Sequence, residues 1–122
     1  MISLNEGHNL DAVLRNLTGW AQQVFLVDSY SQDDTVDIAL RYGVHVVQRK
    51  FLGFGDQWNF ALKQLPITAT WTMKLDPDER LSENLKENLT SAMVSSNTLL
   101  VTPEVRLPPA AYIFPSSTTA WK

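Results

Sequence analysis

The chain has 122 residues, which is enough for one compact domain. Hydrophobic residues make up 44% of it and charged residues 19%, and the net charge of -3 with scattered basic residues gives no reason to expect nucleic-acid binding. The lack of cysteine excludes disulfides and Cys-ligated zinc. We expect a cytoplasmic protein, because no apolar run approaches the roughly 18 to 20 residues that span a bilayer and no signal peptide is recognisable.

Short apolar runs alternate with segments of helical periodicity along most of the sequence. We predict strands over residues 1–4, 24–27, 44–47 and 71–75, and helices over residues 10–20, 33–41 and 56–64. Ser31 with Asp34 resembles a capping box at the start of the second helix. Strands that alternate with helices of this length predict an α/β fold with a mostly parallel sheet covered on both faces.

The last part of the chain has a different character. Ser82 is predicted to cap a helix in which Leu85, Leu89 and Met93 share one apolar face. Residues 99–101 are a candidate fifth strand, and four prolines interrupt the sequence after it. We therefore predict a domain over residues 1–102 and a proline-rich tail of uncertain structure over residues 103–122.

The most informative segment is the apolar run of residues 71–75, which stops at two carboxylates, Asp76 and Asp78, in the spacing Asp-x-Asp. Mg²⁺ and Mn²⁺ prefer carboxylate oxygens and keep open positions for substrate phosphates. Ligand sites of open α/β sheets lie just beyond the carboxyl ends of strands. The motif predicts a metal and diphosphate site, although Pro77 between the carboxylates is also typical of a plain turn.

Three further motifs accompany the acidic pair. Residues 5–6 read Asn-Glu, residues 27–35 read Val-Asp-Ser-Tyr-Ser-Gln-Asp-Asp-Thr, and residues 53–62 read Gly-Phe-Gly-Asp-Gln-Trp-Asn-Phe-Ala-Leu. In this order, together with Leu-Asp-Pro-Asp-Glu-Arg at residues 75–80, they resemble family 2 glycosyltransferases, closest to the branch that adds sugars to the lipopolysaccharide core. The resemblance covers roughly residues 2–94 and implies the nucleotide-sugar half of a GT-A fold, incomplete at the C-terminus.

The resemblance also implies roles for individual residues. It assigns Asp28 to the uracil or ribose of a nucleotide diphosphate sugar, Asp76 to the ribose and donor sugar, and Asp78 to the Mn²⁺ or Mg²⁺ ion that bridges the phosphates. The remaining nucleotide-sugar-binding positions that it implies are Asn5, Glu6, Gln57 and Asn59. From the residues alone, an ordinary turn is the favoured interpretation of Asp28, and Asn5-Glu6 is also typical of a turn before the first helix.

Three positions depart from the family pattern. Tyr30 and Asp34 stand where the family often has glycine, and Trp58 stands where a basic residue is usual. The substitution at Trp58 removes a cation that would touch the diphosphate.

The resemblance implies an inverting, UDP-sugar-dependent transfer to a glycan or lipid-linked acceptor, with peripheral association at the inner face of the cytoplasmic membrane. The general base is unassigned, because after Glu87 only Glu104 offers a carboxylate and its surroundings match nothing in the family. The alternative is an inactive or truncated remnant that binds a nucleotide without transferring sugar. Apolar surface along the last strand or over residues 107–114 further predicts self-association.

Overall fold

The computed structural model describes residues 1–95 and 111–116. Five strands and four helices alternate along these residues. In chain order they are β1 (Ile2–Ser3), α1 (Gly7–Leu17), β2 (Phe25–Asp28), α2 (Thr35–Arg41), β3 (His45–Gln48), α3 (Phe54–Gln64), β4 (Trp71–Lys74), α4 (Glu83–Ser95) and β5 (Tyr112–Pro115).

β1, β2 and β3 form a parallel sheet with β2 in the centre. Successive side chains of a strand point to opposite faces of the sheet, so both faces carry apolar side chains. Helices cover both faces. Leu26 packs with residues of α1, α2 and α4 on one face, whereas Val27 packs with Trp58 and Ala61 of α3 on the other. The predicted α/β class and the parallel sheet flanked by helices are confirmed.

β4 pairs with β5 in a separate antiparallel ladder, in which Lys74 lies opposite Tyr112. β5 lies within the predicted tail, and the candidate strand at residues 99–101 lies outside the described residues. The division of the chain into a domain and a tail at residue 102 stays a prediction. Residues 112–115 of the predicted tail pair with β4.

The two predicted helix caps have different outcomes. Ser82 caps α4 as predicted, since its Oγ accepts a hydrogen bond from the Leu85 amide at 3.1 Å. The capping box at Ser31 and Asp34 is wrong. α2 begins at Thr35, Asp34 makes no capping hydrogen bond with its side chain, and the Ser31 hydroxyl donates to Asp28 instead. Asp33 instead satisfies the first amide of α2, because its Oδ1 accepts a hydrogen bond from the Thr35 amide at 3.0 Å.

Among the helices of residues 1–95, none combines the length and apolar character needed to cross a lipid bilayer. The predicted apolar face of α4 is confirmed, because Leu85 and Leu89 are buried in the main core and Met93 packs against it.

Candidate functional site

Asp28 is the centre of a hydrogen-bond network at the carboxyl end of the parallel sheet. The strand register aligns Ser3, Asp28 and Gln48, the last residues of β1, β2 and β3. Asp28 is 0% exposed. Its Oδ1 accepts from Ser3 Oγ at 2.7 Å, and its Oδ2 accepts from Gln48 Nε2 at 3.3 Å.

Ser31 supplies the remaining hydrogen bonds to Asp28. Its hydroxyl donates to Oδ1 at 2.5 Å and its amide to Oδ2 at 2.8 Å. Four protein donors thus use the roughly four lone-pair sites that a carboxylate offers. A nucleotide that contacted Asp28 would have to displace one of them, and Gln48 makes the longest of the four bonds. The binding role of Asp28 stays a prediction.

Asn5 and Glu6, at the turn between β1 and α1, lie against the loop between β2 and α2. The Asn5 amide donates to Ser31 Oγ at 2.8 Å, and Asn5 Oδ1 accepts from the Gln32 amide at 2.9 Å. The Glu6 amide donates to Thr35 Oγ1 at 3.0 Å. The two turns that the sequence analysis assigned to one pocket are therefore joined directly.

The next residue, Gly7, allows this close approach. Its amide donates to Asp33 Oδ2 at 3.0 Å, and a Cβ atom at this position would lie 2.9 Å from that oxygen and collide with Asp34. The hydrogen bond from the Thr35 side chain holds the pKa of Asp33 below its usual value, so Asp33 is ionised at neutral pH.

Gln57 joins α3 to the same network. Its side chain is 0% exposed and donates to Ser29 Oγ at 3.3 Å. Its Oε1 accepts from Arg49 at 3.0 Å, while the same guanidinium pairs with Asp56 and lies 4.8 Å from the centre of the Phe60 ring. The bond from Arg49 lowers the pKa of Asp56. Asn59 lies half-buried on the same helix.

The acidic turn after β4 is fixed by hydrogen bonds within the turn and by hydrogen bonds from Arg80. The Glu79 amide donates to the Asp76 carbonyl at 3.0 Å, and the Asp76 amide donates to Glu79 Oε1 at 3.0 Å. Arg80 donates to the carbonyls of Pro77 at 2.6 Å and of Asn9 at 3.3 Å, which ties the turn to α1. Burial raises the pKa of Asp76, with opposing effects from Lys74 and further increases from Glu79 and Asp78.

Asp78 is exposed at the tip of the turn. Across residues 1–95 and 111–116, no three acidic or histidine side chains converge to form a metal site. A single exposed carboxylate nevertheless suits Mg²⁺ or Mn²⁺, because these ions are commonly bound by one or two carboxylates together with substrate phosphates and water. The role of Asp78 as the metal ligand stays a prediction.

The hydrogen-bond network brings several of the predicted site residues together. Asn5, Glu6, Asp28 and Gln57 are joined through the loop of residues 29–35. The acidic turn contacts α1 through Arg80, and Lys74 beside it contacts Trp58 of α3. The residues without an earlier assignment are Ser3, Ser29, Ser31, Asp33, Thr35, Gln48, Arg49 and Lys74. Lys74 could have been noticed in the sequence, because a lysine is unusual within the apolar run of residues 71–75.

Comparison with known proteins agrees with this arrangement. The sequence profile described as Glycosyl transferase family 2 matches residues 1–111. The chain belongs to this family.

Among curated proteins, an uncharacterized glycosyltransferase of Rickettsia conorii is 33% identical over 97 residues, covering 80% of this chain and 34% of the relative. The lipopolysaccharide core biosynthesis glycosyltransferase LpsC of Rhizobium meliloti is 29% identical over 105 residues, covering 82% of this chain and 38% of that protein. The chain thus spans about a third of the length of the curated relatives it matches.

Among solved structures, glucosyl-3-phosphoglycerate synthase of Mycobacterium tuberculosis in complex with UDP superposes with a TM-score of 0.60 at 19% identity, covering 78% of this chain and 38% of that chain. Its complex with Mn²⁺, UDP and glucosyl-3-phosphoglycerate gives a TM-score of 0.58 at 18% identity, covering 77% of this chain and 38% of that chain. These similarities support the GT-A-like fold.

Proposed function

We propose that this chain binds a nucleotide diphosphate sugar, specifically a UDP-sugar, together with Mn²⁺ or Mg²⁺, for inverting transfer to a glycan or lipopolysaccharide acceptor. The observation that carries the proposal is the acidic turn after β4, which presents the exposed Asp78 beside the half-buried Asp76. Family membership and the UDP and Mn²⁺ bound by a protein of similar fold support it.

In such a transfer the acceptor oxygen forms a bond to the anomeric carbon while the bond from that carbon to the diphosphate oxygen breaks. The bonding electrons leave with the diphosphate, and a carboxylate base receives the acceptor proton. Asn5, Glu6, Gln57, Asn59 and Asp76 are the residues we propose to contact the donor. The reaction would take place in the cytoplasm, at the inner face of the membrane if the acceptor is linked to lipid.

Calorimetric titration of UDP into the purified chain, with Mn²⁺ and then with chelator, tests the proposal. We expect binding that depends on the metal. Asp78→Ala should abolish that dependence, because it removes the carboxylate that would anchor the ion, whereas Asp37→Ala, an exposed acidic residue on α2, should bind like the parent. No binding of UDP by a folded parent would overturn the proposal.

Asp28→Ala is a poor probe of nucleotide binding, because this buried carboxylate holds the surrounding loops together. Removing the Asp28 carboxylate would leave the buried Ser3 hydroxyl and the partners in the loop of residues 29–35 without an acceptor, and this costs about 1–3 kcal/mol for each unsatisfied buried group.

Turnover separates transferase activity from the alternative of a nucleotide-binding remnant. The chain with Mn²⁺ would be offered a panel of UDP-sugars with core oligosaccharide acceptors, and released UDP would be measured. Release that requires acceptor indicates a transferase. Metal-dependent binding without any release would favour the remnant.

A further inference from the structure

Lys74 is the last residue of β4 and lies directly before the acidic turn, on the side of α3. Its ammonium lies 5.2 Å from the centre of the Trp58 ring and 5.6 Å from the centre of the Tyr112 ring. Trp58 comes from α3, and Tyr112 lies directly opposite Lys74 on β5. Ring faces attract cations, so two rings from two separate elements hold the ammonium in place.

The alternation of β4 explains why Lys74 faces this way. Met73 and Leu75 pack with the main core, so Lys74 lies on the opposite side of the strand, towards α3. The carboxylate of Asp76 follows two residues later, and the ammonium is close enough to lower its pKa against the effect of burial. Lys74 and Asp76 therefore share one side of the chain at the start of the acidic turn.

The other basic residue at the turn is directed elsewhere. Arg80 donates to the carbonyls of Pro77, Glu79 and Asn9, so its guanidinium is held between the turn and α1. Asp76, Asp78 and Glu79 bring three carboxylates into four residues. The diphosphate of a sugar nucleotide would add two negative charges to these carboxylates, so the total exceeds what one divalent ion neutralises and a further cation would favour binding.

We propose that Lys74, held between the rings of Trp58 and Tyr112, is the cationic contact of the donor diphosphate. Lys74 replaces the positive charge that is missing at Trp58, where the family usually has a basic residue. The Trp58 ring binds the Lys74 ammonium, which comes from β4. Tyr112 is a positioning residue in this arrangement. The inference rests on the proposed function, because it needs a nucleotide diphosphate at the acidic turn.

The test compares UDP with uridine, because only UDP carries the phosphates. With Mn²⁺ present, Lys74→Met should lower UDP affinity about 10- to 100-fold, the loss typical of a charge-assisted contact, and leave uridine affinity unchanged within about two-fold. Lys74→Arg should retain most of the UDP affinity, since Arg also lies well on aromatic rings. Lys63→Met, which removes an exposed charge from α3, is the matched control.

Tyr112→Leu guards against a Lys74 variant that does not fold. Tyr112 is half exposed, so we expect its replacement to leave the fold intact, as judged by circular dichroism, and to lower UDP affinity a few-fold without changing uridine affinity. A parent that binds no UDP would remove the proposed function and this inference with it. A parent that binds UDP, with Lys74→Met binding equally well or losing uridine to the same extent, would overturn only the role of Lys74.

Discussion

At the scale of single residues, two backbone positions decide how the loops of the candidate site meet. Gly7 lies where the turn after β1 contacts the loop before α2, and Tyr30 adopts a left-handed conformation with φ of 60°. Glycine is needed at the first position because there is no room for a Cβ atom. At the second, glycine would relieve strain.

Gly7→Ala should destabilise the chain by about 1–2 kcal/mol, because the added methyl group must displace Asp33 and Asp34. Asp33 cannot move without losing the hydrogen bonds from the Gly7 and Thr35 amides. Urea unfolding measures the change. Gly55→Ala is the matched control: its added methyl group meets no atom, and we expect a gain of about 0.5–1 kcal/mol from helix propensity. Equal effects of the two substitutions would contradict the crowding at Gly7.

Tyr30→Gly should stabilise the chain by about 1 kcal/mol, since left-handed backbone costs a non-glycine residue about 1–2 kcal/mol. The Tyr30 side chain is 58% exposed, so little packing is lost. Gln32→Gly in the same loop, where φ is not positive, should instead cost about 0.5–1 kcal/mol through unfolded-state entropy. A loss of stability in Tyr30→Gly would mean that the aromatic ring makes a stabilising contact.

At the scale of elements, α4 is attached to α1 by polar contacts. Asn16 Nδ2 donates to the Leu81 carbonyl at 2.9 Å, and Asn16 Oδ1 accepts from the Leu81 amide at 2.8 Å. The Lys86 ammonium reaches the Asn16 carbonyl near the end of α1 and pairs with Glu83 at 3.1 Å. A side chain of α1 thus satisfies the backbone that leads into α4.

Asn16→Ala should cost about 2 kcal/mol in urea unfolding, because it removes two hydrogen bonds worth about 1 kcal/mol each and leaves buried backbone groups unpaired. Asn84→Ala, on the exposed side of α4, should change stability by less than about 0.5 kcal/mol. A negligible effect of Asn16→Ala would indicate that water replaces the amide.

The elements were largely predictable from the sequence, whereas the site was only partly so. The helices and β1 to β4 could be recognised because their apolar residues recur at regular spacing within each segment. β5 could not, since its pairing depends on residues about 40 positions away and prolines precede it. The roles of Ser3 and Gln48 depend on the strand register, which local sequence does not determine. Ser31 was predicted to cap α2, whereas its hydroxyl donates to Asp28.

At the scale of the whole molecule, the partly buried Asp76 carboxylate opposes folding stability when it is ionised. The folded-state pKa of Asp76 is raised above its unfolded value, so the penalty is absent below the unfolded pKa, develops as pH rises through the folded pKa and is complete above it. Asp76→Asn should therefore raise the urea midpoint at pH 7 and change it little at pH 3. Glu87→Gln, exposed on α4, serves as control. A gain of equal size at both pH values would contradict this explanation.

Self-association is the second prediction at this scale. Phe51 and Leu52 in the loop before α3 and Phe54 at the start of α3 are exposed, and an apolar cavity of about 500 Å³ lies beside β4 and β5. We expect size-exclusion chromatography to show species larger than a monomer that grow with concentration. Leu52→Lys should shift the chain towards monomer, and Leu40→Lys, at a similarly exposed position on α2, should not. A monomer at all concentrations would contradict the prediction.

The contacts between the turn after β1 and the loop before α2 have a consequence for hydrogen exchange. Three consecutive amides, those of Asn5, Glu6 and Gly7, donate to side chains of the other loop. None of them can exchange with solvent unless the two loops separate, so the three should exchange slowly and at a common rate, although they lie outside the helices' hydrogen-bond ladders. Under the proposed function, loops that are already joined in this way would bind the nucleotide without first ordering their own backbone.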